Sequence, residues 1–401
     1  MVVGSRSLVY FSLVFSLFRP CFAQVEIPEL EIDDIPEPIS VEISSPTLPD
    51  DNAEIYWVAK PLWPPHEERH NPQAREFSSV RGGLIQYTNL YTGRNIFLIM
   101  PPMSAELLKP GEDKIRIGIN TTSVFQVDQA EGLNANFDYE ERQIFLIAAL
   151  GLTEDIEAAL QANAFRYEAG KFDKTLNNFH KNLGFPLGPR EDAPVNQYSN
   201  TLKRDSGEVV YRTEKNHLAL ADLIGSAKFR VWDEEKYVPA MAFIVALKAP
   251  TGDESLGYSS GNWDYGTGVA VTKQLTRDVK AHLNVGVAFL GKSDVFDNLS
   301  DVTSVMSALE YYVNSKLSVV VQSNYSTSPF AKWKFETMSE DSWTAGIGAH
   351  IRFPKNIQLH VHFTDEFYNY GDTDYVLGMA LDLFSLQEWW TGETLEEEDE
   401  E

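Results

Sequence analysis

The chain has 401 residues, 43% of them hydrophobic, and a formal net charge of −26 at pH 7. That charge argues against nucleic acid or an anionic membrane surface as a partner, because both would repel it. Cys21 is the only cysteine, which excludes a disulfide framework and a thiolate metal site.

Residues 1–23 read as an export signal. Arg6 supplies positive charge, Leu8–Phe18 supplies an apolar core, and "CFA" ends in a small residue before Gln24. As a membrane anchor this core is too short to span comfortably, and Arg19 and Pro20 stand where a lipoprotein signal wants small residues. Residues 24–75 mix Pro with Asp and Glu too densely for a packed core and read as an extended linker. Residues 76–113 form an N-terminal segment leading into the first alternating stretch. Beyond the N-terminus no run of about 18 apolar residues exists, so no transmembrane helix is expected, which leaves a membrane β-barrel open.

From Lys114 the pattern is alternation at period two, the mark of β-strands. "KIRIGINTTSVF" sets Ile115, Ile117 and Ile119 against Arg116, Gly118 and Asn120. "QIFLIAALGL" is apolar on both faces and leads through "TED" into "IEAALQANAF". "ADLIGSAKFRVW" and "YVPAMAFIVALKA" flank "DEEK"; "YGTGVAVTKQL" and "AHLNVGVAFL" flank "TRDVK"; "SALEYYV" and "LSVVVQSNY" flank "NSK". "WTAGIGAHIRF" and "IQLHVHF" flank Pro354-Lys355-Asn356, and "YVLGMALDLF" is the last segment. Residues 387–401 are an acidic tail.

Short connections alternate strictly with longer ones in this reading. The result is five hairpins plus a strand at each end, about twelve strands, with both termini on the side of the short turns. Outer-membrane barrels have this arrangement, and their spanning strands need about 9–11 residues. The expected fold is therefore all-β: a closed antiparallel transmembrane barrel over 114–386. Aromatics near the strand ends, among them Trp232, Tyr237, Trp263, Tyr265, Tyr311, Tyr312, Tyr325, Trp343, Phe353, Phe363, Tyr368, Tyr370 and Tyr375, suit two headgroup belts. The apolar face would then meet lipid and the polar face would line a lumen. A large soluble β-sandwich is the alternative, in which the apolar face would be a core richer in large residues.

Three stretches carry a family resemblance. The segment from Arg94 to Phe125 contains Asn95-Ile96-Phe97 and then Leu107-Leu108-Lys109-Pro110-Gly111 ahead of the first strand. "NNFHKNLGFPLGPREDAPVNQY", Asn177–Tyr198, carries a Phe-His loop, and "ALADLIGSAKFRV" with "LKAPTGD" carries a later strand and loop. Together they resemble a bacterial outer-membrane family known as domain of unknown function 3187, over residues 90–385. The resemblance implies location and fold more than activity. One departure is that outer-membrane barrels usually close on an aromatic of the last strand, whereas here Phe384 is followed by the tail.

Parity places Arg116, Lys228, Arg230, Lys248 and Arg352 inside the lumen, with Glu157, Asp222, Glu310 and Asp382. A slight excess of cations would favour anionic solutes; internal salt bridging of the wall is the other reading. His282 lines the lumen too. The three-residue turn sets His350 opposite His360 with His362 on the diagonal, a spacing open to a shared metal, a pH switch or ordinary lumen polarity. Phe172, Leu176, Phe179 and Leu183 fall at helical spacing in the longest loop and suggest a short helix constricting the mouth. A His-Glu-x-x-His match, His66–His70, and a Gly-x-Ser-x-Gly match, Gly257–Gly261, both occur. The first falls between prolines in the extended linker and not on a helix, and the second falls in a connection between two alternating segments and not at a strand-to-helix elbow, so no enzyme, cofactor or metal is expected. The sequence thus points to an outer-membrane barrel with both termini periplasmic, contacting outer-membrane lipids and the barrel-assembly machinery, in an unspecified oligomeric state. A pore for small solutes is the leading role; a non-conducting envelope barrel is the alternative.

Overall fold

The computed structural model describes residues 82–385 apart from 88–89, 92, 171–193, 293–295, 297, 355, 367–372 and 374. Every regular element among the described residues is a β-strand. Three strands open the chain: β1 (Asp113–Ala130), β2 (Leu133–Thr153) and β3 (Ile156–Glu168). Three short ones come next, in the longest connection: β4 (Ser199–Arg204), β5 (Val209–Arg212) and β6 (Leu218–Leu220). Then come β7 (Leu223–Trp232), β8 (Ala240–Ala249), β9 (Asp264–Thr276), β10 (Val279–Phe289) and β11 (Val302–Asn314). The last are β12 (Leu317–Ser326), β13 (Ser342–Phe353), β14 (Ile357–Glu366) and β15 (Tyr375–Phe384).

Twelve of these strands close a ring. β1, β2 and β3 pair in order, β3 pairs with β7, and β7 to β15 pair each with the next. β15 returns to β1 from Lys114↔Phe384 to Ser123↔Tyr375. All of these pairings are antiparallel, and closure removes the free edges that hydrocarbon would not tolerate. The three-residue turn at 354–356, with Asn356 at a positive φ of 56°, sets Phe353 against Ile357 and His350 against His360.

The strict alternation of short and long connections does not hold at the first outer one. β1 and β2 continue to Ala130 and Leu133 and are joined by a two-residue turn at Glu131-Gly132. Alternation carries on there, with Phe137 and Tyr139 buried and Val127 exposed. The hairpin therefore stands above the wall, and β4 adds to its β2 edge at Leu133–Asp138.

The outer face is apolar. Ile117, Ile144, Phe243, Leu283, Val285, Leu309, Val321, Ile347, Leu377, Met379 and Leu381 are all exposed large hydrophobics. Trp232, Tyr237, Tyr311 and Phe353 ring the short-turn end; Tyr265, Phe289 and Trp343 ring the other. Trp343 and Phe353 are ten residues apart on β13. At about 3.3 Å per residue and a strand tilt of about 40°, that puts the belts roughly 25 Å apart, the height of a lipid-facing band. Tyr312 is not part of a belt: it is buried, because Tyr311 beside it already faces out and neighbours in a strand cannot share a face. Tyr368 and Tyr370 lie outside the described residues.

The ring is not empty. Residues 82–112 do not merely lead into the barrel but run through its lumen. They rise along β11–β13, turn at Tyr91–Phe97 near the long loops, and descend along β9, β10 and β3 to enter β1.

Candidate functional site

The lumen and its occupant form the candidate site. A chain crossing a barrel without joining the sheet leaves its N–H and C=O groups needing partners. The wall supplies them from side chains of inward parity. Gly83 donates its N–H to the Glu310 carboxylate at 3.0 Å, and Ile85 donates to Gln322 at 2.7 Å. Leu98 donates to Asp264 at 2.9 Å, and Leu108 to Glu157 at 2.8 Å. Asn284 accepts from the Met103 N–H at 2.8 Å and donates to its carbonyl at 2.7 Å. Thr272 accepts from Ala105, and Lys228 donates to the carbonyls of Ser104 and Glu106. Among the described residues, no backbone–backbone hydrogen bond joins 82–108 to the wall; the first are between Gly111, Glu112 and Gly151.

Packing follows the same logic. Leu98 and Met100 are buried against Ala242, Ile244, Ala246, Ala270 and Ala288. A Cβ built on Gly266 or Gly286 would lie 2.3 and 2.7 Å from Met100 atoms, so the occupant fits where the wall has no side chain.

The charges expected in the lumen meet one another. Arg116 holds Asp382 through two parallel contacts, Nε–Oδ1 at 2.5 Å and Nη2–Oδ2 at 2.7 Å. Lys228 pairs with Glu157 at 3.2 Å. Lys248 pairs with Asp222 at 2.5 Å and Asp264 at 3.4 Å, and also donates to Ser260 and the Asn262 carbonyl. This accounts for the "LKAPTGD" stretch: its lysine ties the following loop to the barrel top. Arg230 sits half-buried at the rim against Asp155 and Asp233, and Arg352 at the rim donates to Asn356 and covers the Phe384 ring.

The four lumen histidines lie in the half nearer the short turns. His282 and His350 flank Glu310 at 3.5 and 3.3 Å. The His350 and His360 rings are 4.6 Å apart, and His360 reaches Asp382 at 3.0 Å. His362 is buried beside Gly378 with its Nε2 unpartnered. Among the described residues no group of three or more His, Cys, Asp or Glu side chains is placed to hold a metal ion. Phe172, Leu176, Phe179 and Leu183 lie outside the described residues.

At the long-loop end the lumen is roofed. The Asp128 carboxylate accepts the N–H groups of Glu336, Thr337 and Met338, at 2.9–3.1 Å. Arg94 of the occupant donates to the Met338 and Glu340 carbonyls. Phe97 packs edge-on to Phe296 and Phe330, and Trp333 closes on Phe330 at 5.1 Å. Burial in this roof raises the phenols of Tyr211 and Tyr258 above their ordinary range. At the short-turn end the lumen stays open as a cavity of about 370 Å³ between the occupant and β1–β3 and β7.

Several lumen residues lie outside the charged and histidine set read from the sequence: Gln322, Asn284, Thr272 and Asp264 above, and Lys114, Glu106 and Lys280, which line the cavity, the last two as an ion pair. Gln322 and Asn284 share the parity of the lumen residues, so alternation alone marks them. The occupant itself has no such mark.

A family model described as a protein of unknown function (DUF3187) matches residues 72–382. The chain belongs to that family. No curated protein matches this DUF3187 chain in sequence. Its backbone resembles several solved barrels at low identity. An outer membrane channel of Pseudomonas putida F1 is 12% identical, with a TM-score of 0.48 over 71% of this chain and 100% of that one. The NanC porin is 10% identical, with a TM-score of 0.39 over 68% and 98%. The toluene transporter TodX of Pseudomonas putida is 9% identical, with a TM-score of 0.33 over 69% and 89%.

Proposed function

We propose that this DUF3187 chain is an outer-membrane barrel that passes small solutes when the segment 82–108 withdraws from its lumen. The observation that carries the reading is how that segment is held. Its backbone is bonded to the wall by side chains only, so it can leave without breaking one bond of the barrel ladder. Local openings of this kind draw on weakly coupled elements. A twelve-stranded ring has room for a water-filled path once emptied. The apolar band and the closed ring support membrane insertion, with outer-membrane lipids around the ring and the barrel-assembly machinery as the inserting partner. The described chain begins at Gly82 beside Glu310 and ends at Ser385 beside Asp113, both at the short-turn end, which in outer-membrane barrels faces the periplasm, and this reading puts both termini there.

The test is planar-bilayer conductance. Intact protein should give rare, brief openings, and a variant lacking residues 82–105 should conduct steadily. A deleted variant that inserts, keeps the gel mobility of a folded barrel and stays silent would end the proposal. The same tight occupancy supports a second reading, a non-conducting envelope barrel. That reading expects silence from both proteins, with loss of partner capture when residues 24–75 are removed.

A further inference from the structure

Among the described residues, the lining of the cavity at the short-turn end holds five cations against four carboxylates, and two of the cations, Lys109 and Lys114, form no ion pair. Its walls carry Arg116 paired with Asp382, Lys228 paired with Glu157, and Lys280 paired with Glu106 at 2.7 Å. Lys114 also lines it, on the inward parity of β1 two residues before Arg116. Lys109 is exposed at the mouth, whereas Lys114 is half-buried. Among the described residues Lys114 has no hydrogen-bond or ion-pair partner, and the carboxylates near enough to act on its charge, Asp382 and Glu157, are already paired with Arg116 and Lys228. A buried or half-buried ammonium without an anion is costly, so such a group marks a place where an anion is accepted.

The remaining surface is of a different kind. Ile147, Ala149 and Ala159 on β2 and β3, Ile224 on β7, and Leu84 and Pro101 of the lumen segment present apolar atoms to the same space. The volume lies within the range of small-molecule pockets, which are largely apolar with a few placed polar groups. We infer that this cavity binds a small organic monoanion, its carboxylate or equivalent group on Lys114 and its apolar remainder against the β2–β3–β7 wall. Inorganic anions would leave that wall unmatched, and polyanions would meet Glu112, Glu157, Glu106 and Asp382. The inference deepens the proposed passage by naming what enters it, and rests on that reading for its role. The binding step itself belongs to the closed barrel and needs no conductance.

The full chain, folded in a non-ionic detergent, is titrated with sodium hexanoate and separately with hexan-1-ol, its neutral counterpart, by calorimetry. Hexanoate should bind saturably, at least tenfold more tightly than hexan-1-ol, because only the carboxylate forms a charge-assisted hydrogen bond with the ammonium. Lys114→Gln should weaken hexanoate about tenfold and leave hexan-1-ol unchanged, whereas Lys114→Arg should keep most of the affinity. Ala159→Phe, which fills the cavity without touching the charge, should abolish both. Gel mobility of the unheated variants confirms that each is folded. Equal binding of acid and alcohol, or full hexanoate affinity in Lys114→Gln, overturns the site. Binding that persists in a barrel that never conducts overturns the passage and leaves the site standing. Conductance without binding does the reverse.

Discussion

Arg116 and Asp382 face each other across the seam where β1 meets β15, and they close the ring with a two-pronged ion pair. Removing one partner leaves a buried charge alone, whereas replacing both with apolar groups removes the desolvation cost as well. Asp382→Ala should therefore destabilise the barrel by about 3 kcal/mol, and Arg116→Met with Asp382→Leu should return close to the parent stability. The urea midpoint, followed by the gel mobility of unheated samples, reads both. A double variant as weak as the single one would mean the pair's worth is its attraction and not its mutual compensation. Such pairs were partly legible in the sequence. The turn at 354–356 sets His350 opposite His360, because turn length dictates hairpin register. That Glu310 lies between His282 and His350 was not, since β10 and β13 are separated by β11 and β12. In a flat sheet those histidines would not share a partner. Inside a narrow ring inward side chains converge, and curvature brings together what pairing order keeps apart.

The segment 82–112 is the element that alternation cannot reveal. A barrel strand meets lipid on one side and the lumen on the other, so its sequence alternates. A chain inside the lumen is surrounded, so it has no reason to. Ile96 to Met100 are five apolar residues in a row, all buried, and Pro101-Pro102 comes directly after them. The legible sign is the complement in the wall: glycines at 266 and 286, where Met100 sits, and inward Asn, Gln and Thr at the height of its backbone. A side chain at Gly266 would compete with Met100 for one space, with little effect on the strand pairing behind it. Gly266→Leu should thus loosen the segment and spare the ring. Cys21 lies in the expected export signal, so Ser104→Cys supplies a single reporter thiol after processing. Its maleimide labelling should rise about tenfold in the Gly266→Leu background, while gel mobility stays that of the folded barrel. Unchanged labelling would show that Met100 adapts and that the segment is held by its hydrogen bonds alone.

At the scale of the whole molecule, strand number, closure and facing derive from alternation and turn spacing. The single misjudged connection, β1 to β2, is a place where alternation outruns the membrane. β1 and β2 have 18 and 21 residues, against the about 9–11 needed to span. That excess gives a direct test of what the outer face touches. Val127 and Ile347 are both outward-facing and well exposed, at 63% and 53%. Val127 lies on the part of β1 above the wall, and Ile347 lies midway along β13 between the two aromatic belts. In water, an arginine at either position costs almost nothing, because exposed substitutions are usually within about 0.5 kcal/mol. In a bilayer, the same arginine at mid-depth costs about 2–4 kcal/mol, and one clear of the acyl region costs close to zero. Ile347→Arg should therefore lower the stability of the lipid-embedded protein by about that amount, and Val127→Arg should leave it unchanged. Urea unfolding in phospholipid vesicles measures the difference. Equal, small effects at both sites would mean that the apolar band does not face hydrocarbon, and the barrel would have to be a water-soluble ring whose greasy surface is covered by something else.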